Sequence, residues 1–304
     1  MPLSVRRGTL YASASHILVA CLLLALTACG TQKTPSSPAA ASRSDVPIVG
    51  HADYLAQTFT DGDTVDNPWL PLVPGRRFVY DGMITVDGVR ASHRVVFTVT
   101  DETKVIDGVR TRAVIDEDYL EGERLEYELA FFAQDDEGNV WLMGEYPEEY
   151  EDSEFVGAPD TWLAGVAGAQ PGVMMRAQPA EGTSAYNQGV WEPIEFKDRA
   201  VVIQTDGHTC TPLDCHENVL VTREWNPDEP GAFQLKYYAR GIGNVRVGWA
   251  GPKEKEREVL TLTQLEDLGP KEMEALRAEV LKLERRAYEV SKAVYGDTAP
   301  IQSG

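Results

Sequence analysis

The chain has 304 residues, with 28 Lys and Arg against 48 Asp and Glu, 43% apolar residues and four cysteines. A formal charge of −20 excludes a nucleic-acid backbone or an anionic bilayer surface as the main partner, because both repel it at long range. Cations and basic protein segments remain open, and the length suits one β domain of about 200 residues with appendages, since no linker interrupts the middle of the chain.

The first element is an export signal. Arg6 and Arg7 precede an uncharged run from Ile17 to Ala28 that closes on Leu26-Thr27-Ala28-Cys29. A membrane-spanning helix needs about 20 apolar residues, so this shorter run reads as the core of a signal peptide over residues 1–28. Its ending resembles the bacterial lipoprotein box, an aliphatic residue and two small ones before a cysteine that is diacylated and becomes the mature N-terminus. The resemblance makes Cys29 the lipid anchor, carrying palmitate-type chains, and puts the protein on a bacterial membrane outside the cytoplasm. An ordinary cleaved signal with an incidental cysteine is the bland alternative. Residues 29–50 follow as an anchor and tether of Ser, Ala, Pro, Thr and Gln, too poor in large apolar groups to offset the entropy of ordering.

From residue 51 to 268 the pattern is that of antiparallel hairpins. Alternating stretches from Arg77 to Val86 and Val89 to Thr100 flank Asp87-Gly88; Lys104 to Ile106 and Val109 to Asp118 flank Asp107-Gly108; Gly122 leads into Arg124 to Phe132. Further strands are expected at Val140 to Gly144, Val201 to Gln204, Val219 to Trp225, Phe233 to Tyr238, Val245 to Trp249 and Glu258 to Leu265. No βαβ spacing is visible, so the fold is expected to be mainly β, a single antiparallel meander curled into a barrel or half-barrel. A long amphipathic helix follows over 269–296, with Met273, Leu276, Val280, Leu283, Ala287, Val290 and Val294 on one stripe, Pro270 in its first turn and Gly296 at its end. Most such stripes face their own core; an exposed one would make the helix a partner-binding arm. In a half-barrel it could also plug the concave side. Residues 297–304 are read as a tail.

Cys210 and Cys215 sit in His208-Thr209-Cys210-Thr211-Pro212-Leu213-Asp214-Cys215-His216. Outside the cytoplasm the pair is expected to form a disulfide; a zinc site using the two flanking histidines is the sharper and less favoured reading. Acids are concentrated in Glu145-Tyr146-Pro147-Glu148-Glu149-Tyr150-Glu151-Asp152-Ser153-Glu154, read as a charged loop. Glu148, Glu149, Glu151 and Asp152 there, with Asp61, Asp63 and Asp66 upstream, are weak calcium candidates. Leu72 stands where an EF-hand from Asp61 would need its closing glutamate, and a solvated surface is the plainer account of both groups. No cofactor is expected beyond that calcium.

Catalytic patterns are scarce. There is no nucleophile elbow, no phosphate-binding glycine loop and no zincin helix. A carboxylate pair across neighbouring strands, drawn from Asp116, Glu117 and Asp118 and the acids of the next strand, would suit a hydrolase of envelope polymers, but alternation predicts that these acids face water. The uncharged segment from Trp162 to Met175 is read as either a buried crossover or a lip over an apolar cavity, with Trp162, Leu163, Val173, Met174 and Met175 as candidate ligand contacts.

Four stretches together resemble an uncharacterised family of secreted bacterial proteins and lipoproteins. They are Asp66-Asn67-Pro68-Trp69-Leu70-Pro71-Leu72 with Pro74-Gly75, Lys104-Val105-Ile106-Asp107-Gly108-Val109, the span from Trp162 to Met175, and Lys236-Tyr237-Tyr238-Ala239-Arg240-Gly241-Ile242-Gly243. The resemblance covers most of residues 66–250 and implies one domain; it brings no activity with it. The Cys210 to Cys215 insertion looks peculiar to a subset of that family. By looser analogy the meander is similar to half-barrel carriers of lipids and lipoproteins. The expected function is binding of an apolar small molecule or lipid by a tethered protein; the alternatives are an assembly role through the helix or acidic loop and a carboxylate-dependent hydrolase.

Overall fold

A computed structural model describes residues 49–303. The signal segment, Cys29 and all but the end of the tether lie outside the described residues. A single helical turn, α1 (His51–Tyr54), precedes an irregular stretch that leads to the first long strand. Strands β1 (Arg76–Val86), β2 (Val89–Ile106), β3 (Val109–Leu120), β4 (Glu123–Gln134) and β5 (Val140–Glu151) form one antiparallel meander. Asp87-Gly88, Asp107-Gly108 and Glu121-Gly122 turn its first three corners, each with both residues at positive φ, as two-residue type I′ hairpins require.

Short strands β6 (Glu154–Gly157), β7 (Trp162–Leu163) and β8 (Gln170–Met175) all lie against β5. Next come β9 (Tyr186–Asn187) and β10 (Gly189–Val190), then a second meander of β11 (Arg199–Cys210), β12 (Cys215–Trp225), β13 (Phe233–Ala239), β14 (Gly243–Ala250) and β15 (Val259–Asp267). The last of these pairs with the first strand of the chain, from Arg76 against Asp267 to Met83 against Val259. On the other side β9 bonds to β11 while β10 bonds to β8, so one five-residue stretch bridges both edges and the sheet is nearly closed into a barrel.

Both seams depend on glycine for close approach. A Cβ on Gly82 would stand 1.8 Å from the Val259 carbonyl oxygen, and one on Gly172 would stand 2.2 Å from the Gln188 carbonyl carbon.

The wall has two faces, because successive side chains alternate. Over the outer face of β2 to β5 lies α2 (Pro270–Val290), whose Leu276, Val280, Leu283 and Ala287 are buried with Ala113, Ile115, Leu129, Phe131 and Met143. The helix therefore covers the barrel from outside and does not plug its concave side. Its stripe ends earlier than the periodicity predicts: the helix breaks at Ser291 and leaves Val290 exposed, and α3 (Lys292–Tyr295) then turns Val294 and Tyr295 into the core. The C-terminal stretch is pinned as well, with Ile301 buried and β16 (Gln302–Ser303) paired to β2. Lys104, at 1% exposure, fastens this layer. Its Nζ donates to Glu284 Oε1 at 2.8 Å and to the Ala299 carbonyl at 2.5 Å, and it lies over the Tyr288 and Tyr295 rings.

Two local expectations change. Val89 to Ile106 is one strand with an irregularity between Val99 and Thr103, not two strands. The acidic run from Glu145 is not a loop; it continues β5 to Glu151, and the positive-φ turn falls on Asp152 and Ser153. Glu145 and Glu148 in that run are buried because each has a partner. The indole N–H of Trp162 donates to Glu145, while Arg286 and the hydroxyls of Tyr146 and Tyr150 donate to Glu148.

Candidate functional site

The inner face of the barrel is the candidate site, and register assigns its lining. Val95, Phe97 and Val99 on β2 stand opposite Asp118, Asp116 and Val114 on β3, which stand opposite Glu126, Glu128 and Ala130 on β4. Ala130 in turn faces Glu145 on β5. These side chains look across to the other meander: the Lys236 charge on β13 is felt at Asp116, although four strands lie between β3 and β13 in the sheet order.

One end of this lumen is apolar. Phe78, Phe97 and Phe132 make successive ring contacts there, and Asn67-Pro68-Trp69-Leu70-Pro71-Leu72 crosses that end from the β4–β5 corner to the β13–β14 corner. Asn67 donates to the Gly138 and Arg176 carbonyls, Gly241 N–H donates to the Pro68 carbonyl, and the Arg240 guanidinium lies over the Trp69 ring. Leu70 and Leu72 are buried by this cap. The Asn67 to Leu72 and Lys236 to Gly243 segments thus meet in space, one as cap and the other as the β13–β14 corner it rests on.

The middle of the lumen and its other end are acidic. Asp116, Asp118, Glu128, Glu145, Glu224 and Glu258 are all buried, against two buried cations, His93 and Lys236. His93 is held between Asp118 Oδ1 at 2.7 Å and Glu258 Oε1 at 2.8 Å. Burial works against its charged form, yet the two carboxylates outweigh burial and push the imidazole pKa up to about 10, so it is a cation at neutral pH. Lys236 pairs with Glu224 at 2.7 Å. Among the described residues Asp116 has no such partner: its Oδ1 is buried without a hydrogen bond, and burial, reinforced by the Asp118 charge, raises its pKa well above the carboxylate range. Glu128 stands directly opposite it and is raised well above the range too, by burial and then by the Glu145 charge. Glu126, Glu149 and Gln234 at this end are partly exposed, so the acidic end meets solvent.

The expectation that the β3 acids face water is therefore reversed for Asp116 and Asp118. Only Glu117 points outward, where it pairs with Arg124 at 2.7 Å. Alternation separates the two sets correctly but does not say which face is enclosed. Chemically, Asp116 and Glu128 are the cross-strand carboxyl pair that glycoside hydrolysis uses, but such catalysis needs one member ionised and the other protonated. Here both shifts run the same way.

The other sequence-predicted residues are dispersed. Leu163 and Val173 pack in the layer beneath the helix, while Trp162, Met174 and Met175 are fully buried, Trp162 against Phe196. Asp63 pairs with Arg112, Asp66 accepts from Gln134, and Asp61, Glu151 and Asp152 are exposed. Among the described residues, the metal-ligand group of three or more that converges is His208, Cys210 and Cys215, and its sulfurs are joined in a disulfide at the exposed tip of the β11–β12 hairpin. An oxidised pair supplies no thiolate, so the zinc reading gives way to the disulfide.

No family model and no curated protein matches the chain. Among solved structures it is similar to a Bacteroides fragilis protein described as exported and of YmcC-like fold, at 14% identity over 65% of this chain and 98% of that one, with a TM-score of 0.35. It is also similar to a protein of Parabacteroides distasonis described as a lipoprotein, at 9% identity over 66% and 99% with a TM-score of 0.35. Both likenesses fall below the level at which a shared fold can be asserted.

Proposed function

We propose that the chain is a lipid-anchored protein of the bacterial cell envelope whose barrel lumen binds a small molecule with an apolar part. The observation that carries this reading is the division of the lumen: an aromatic, capped end leads to a middle where the Asp116 Oδ1 is buried without a hydrogen bond. A core built only for stability gains nothing from a buried carboxyl with no partner, since leaving such a group unpaired costs about 1–3 kcal/mol or more. Strand number points the same way. Side chains fill a barrel of about eight strands, and this one has ten long strands besides its closing segment.

The anchor follows from Leu26-Thr27-Ala28-Cys29. With two acyl chains, attachment is stable, and the tether lets the barrel reach ligands near the membrane surface. Native mass spectrometry of the full chain, followed by solvent extraction, tests the binding reading. Co-purifying amphiphile, or saturable uptake of the neutral probe N-phenyl-1-naphthylamine that lipid extracts displace, supports it. A ligand-free protein that takes up no probe refutes it.

A further inference from the structure

We infer that the lumen selects a ligand bearing a protonated amine, whose ammonium group sits between Asp116 and Glu128 while its apolar part lies toward the aromatic end. This rests on the lumen being a binding site and adds the charge of what it binds.

The argument is one of unmatched charge. Asp118 and Glu258 share His93, Glu224 has Lys236, and Glu145 accepts from the Trp162 indole. Asp116 is 4% exposed and has an oxygen with no hydrogen bond; Glu128, 3% exposed and directly across the ladder, has another. Among the described residues, the titratable groups acting on this pair are Asp118 and Glu117 on the same strand, Glu126 hydrogen-bonded to Glu128, Glu145 on β5, Tyr80 on β1, Tyr295 from the helical layer and Lys236 across the lumen. Acids dominate that set, and Lys236 is already paired with Glu224. An incoming anion would meet only repulsion, and a neutral polar group would leave the acids as they are.

An ammonium resolves the mismatch by exchange. Without ligand, burial keeps a carboxyl proton on the pair. When R–NH₃⁺ enters, that proton leaves to solvent and the new carboxylate accepts hydrogen bonds from the ammonium, so the net charge of the site is unchanged. Binding is then tied to proton release, and it strengthens as pH rises toward the amine's own pKa.

Three probes of equal chain length test this on the full chain: hexylamine, hexanol and hexanoate, measured by titration calorimetry at pH 7.5 in two buffers of different ionisation enthalpy. The expected result is hexylamine at least tenfold tighter than hexanol, hexanoate weakest, and a buffer-dependent heat that reports proton release for the amine alone. Asp116→Asn with Glu128→Gln, isosteric at both positions, is expected to remove the amine preference and the proton release while hexanol binding stays. Equal affinity for amine and alcohol, or an amine preference that survives in the double variant, overturns the inference. Proton release is read on the unaltered chain, so the test does not depend on the variant folding. Binding without preference refutes the amine alone; absence of binding by any probe refutes the lumen reading with it.

Discussion

Replacing Lys104 by methionine keeps the stem of the side chain and removes its charge, which isolates the worth of one buried ion pair. The ammonium is enclosed by Glu284, the Ala299 carbonyl and two tyrosine rings, and Glu284 Oε1 also accepts from the Ile301 N–H at 2.7 Å. In Lys104→Met the Glu284 carboxylate keeps only that backbone donor at 5% exposure. Removing one member of a buried pair costs about 3–5 kcal/mol, and for a domain of this size each kcal/mol lowers Tm by roughly 2–4 °C. The expected loss is therefore on the order of 10 °C, with faster amide exchange along α2, because this contact joins the helix and the C-terminal segment to β2. Lys104→Met with Glu284→Leu removes both charges and is expected to recover most of the loss. Equilibrium urea unfolding of the three proteins measures both effects. A single variant within about 1 kcal/mol of the parent, or a double variant as unstable as the single, would show that the pair is not what holds the layer.

His93 is raised from its ordinary value to about 10, so its contribution to stability is complete below about pH 6.5 and is lost as pH climbs through 10; urea midpoints at pH 6, 8 and 10 should fall more steeply for the parent than for His93→Gln. Asp116 and Glu128 are acids raised in the fold, so their cost appears as pH rises from the ordinary carboxylate range. Over that lower window Asp116→Asn with Glu128→Gln should flatten the decline by up to about 1.4 kcal/mol per pH unit per carboxyl, and equal slopes in parent and variant would contradict the burial argument. Gly172→Ala places a methyl group on the Gln188 backbone and should destabilise the barrel by more than 2 kcal/mol by large-to-tight overpacking, read from the same urea curves, with Gly168→Ala as the control where no atom lies within 4 Å but φ is positive. Metabolic labelling with an alkynyl palmitate should mark the chain and be abolished by Cys29→Ser; label retained in that variant would remove the anchor.

The meander was legible because its corners are written in residue types that tolerate positive φ: Asp87-Gly88 and Asp107-Gly108 admit little else between alternating stretches. The helix stripe was legible for a similar reason, since Leu276, Val280 and Leu283 keep helical spacing whatever they pack on. The lumen was not legible. Asp116, Asp118 and Glu128 look like water-facing positions on an outer wall, and only the pairing of β1 with β15, a contact between distant parts of the chain, turns that face inward. His93 and Lys236 carried no local sign either, because their partners Glu258 and Glu224 come from other strands. In the run from Glu145, charge density suggests a loop, whereas in the structure the strand continues and turns Glu145 to the Trp162 side and Glu148 to the Arg286 side.

The seam between β1 and β15 joins residues as far apart as Arg76 and Asp267, 191 positions along the chain. A polypeptide that emerges from a ribosome or a translocation pore with its N-terminus leading must present β1 with one row of backbone groups unmatched until nearly all the remaining strands have followed. Contacts of that span are slow to form, and an unpaired edge invites association with other chains while it waits. Assembly of this protein is thus a problem of timing, one that a holding chaperone would relieve.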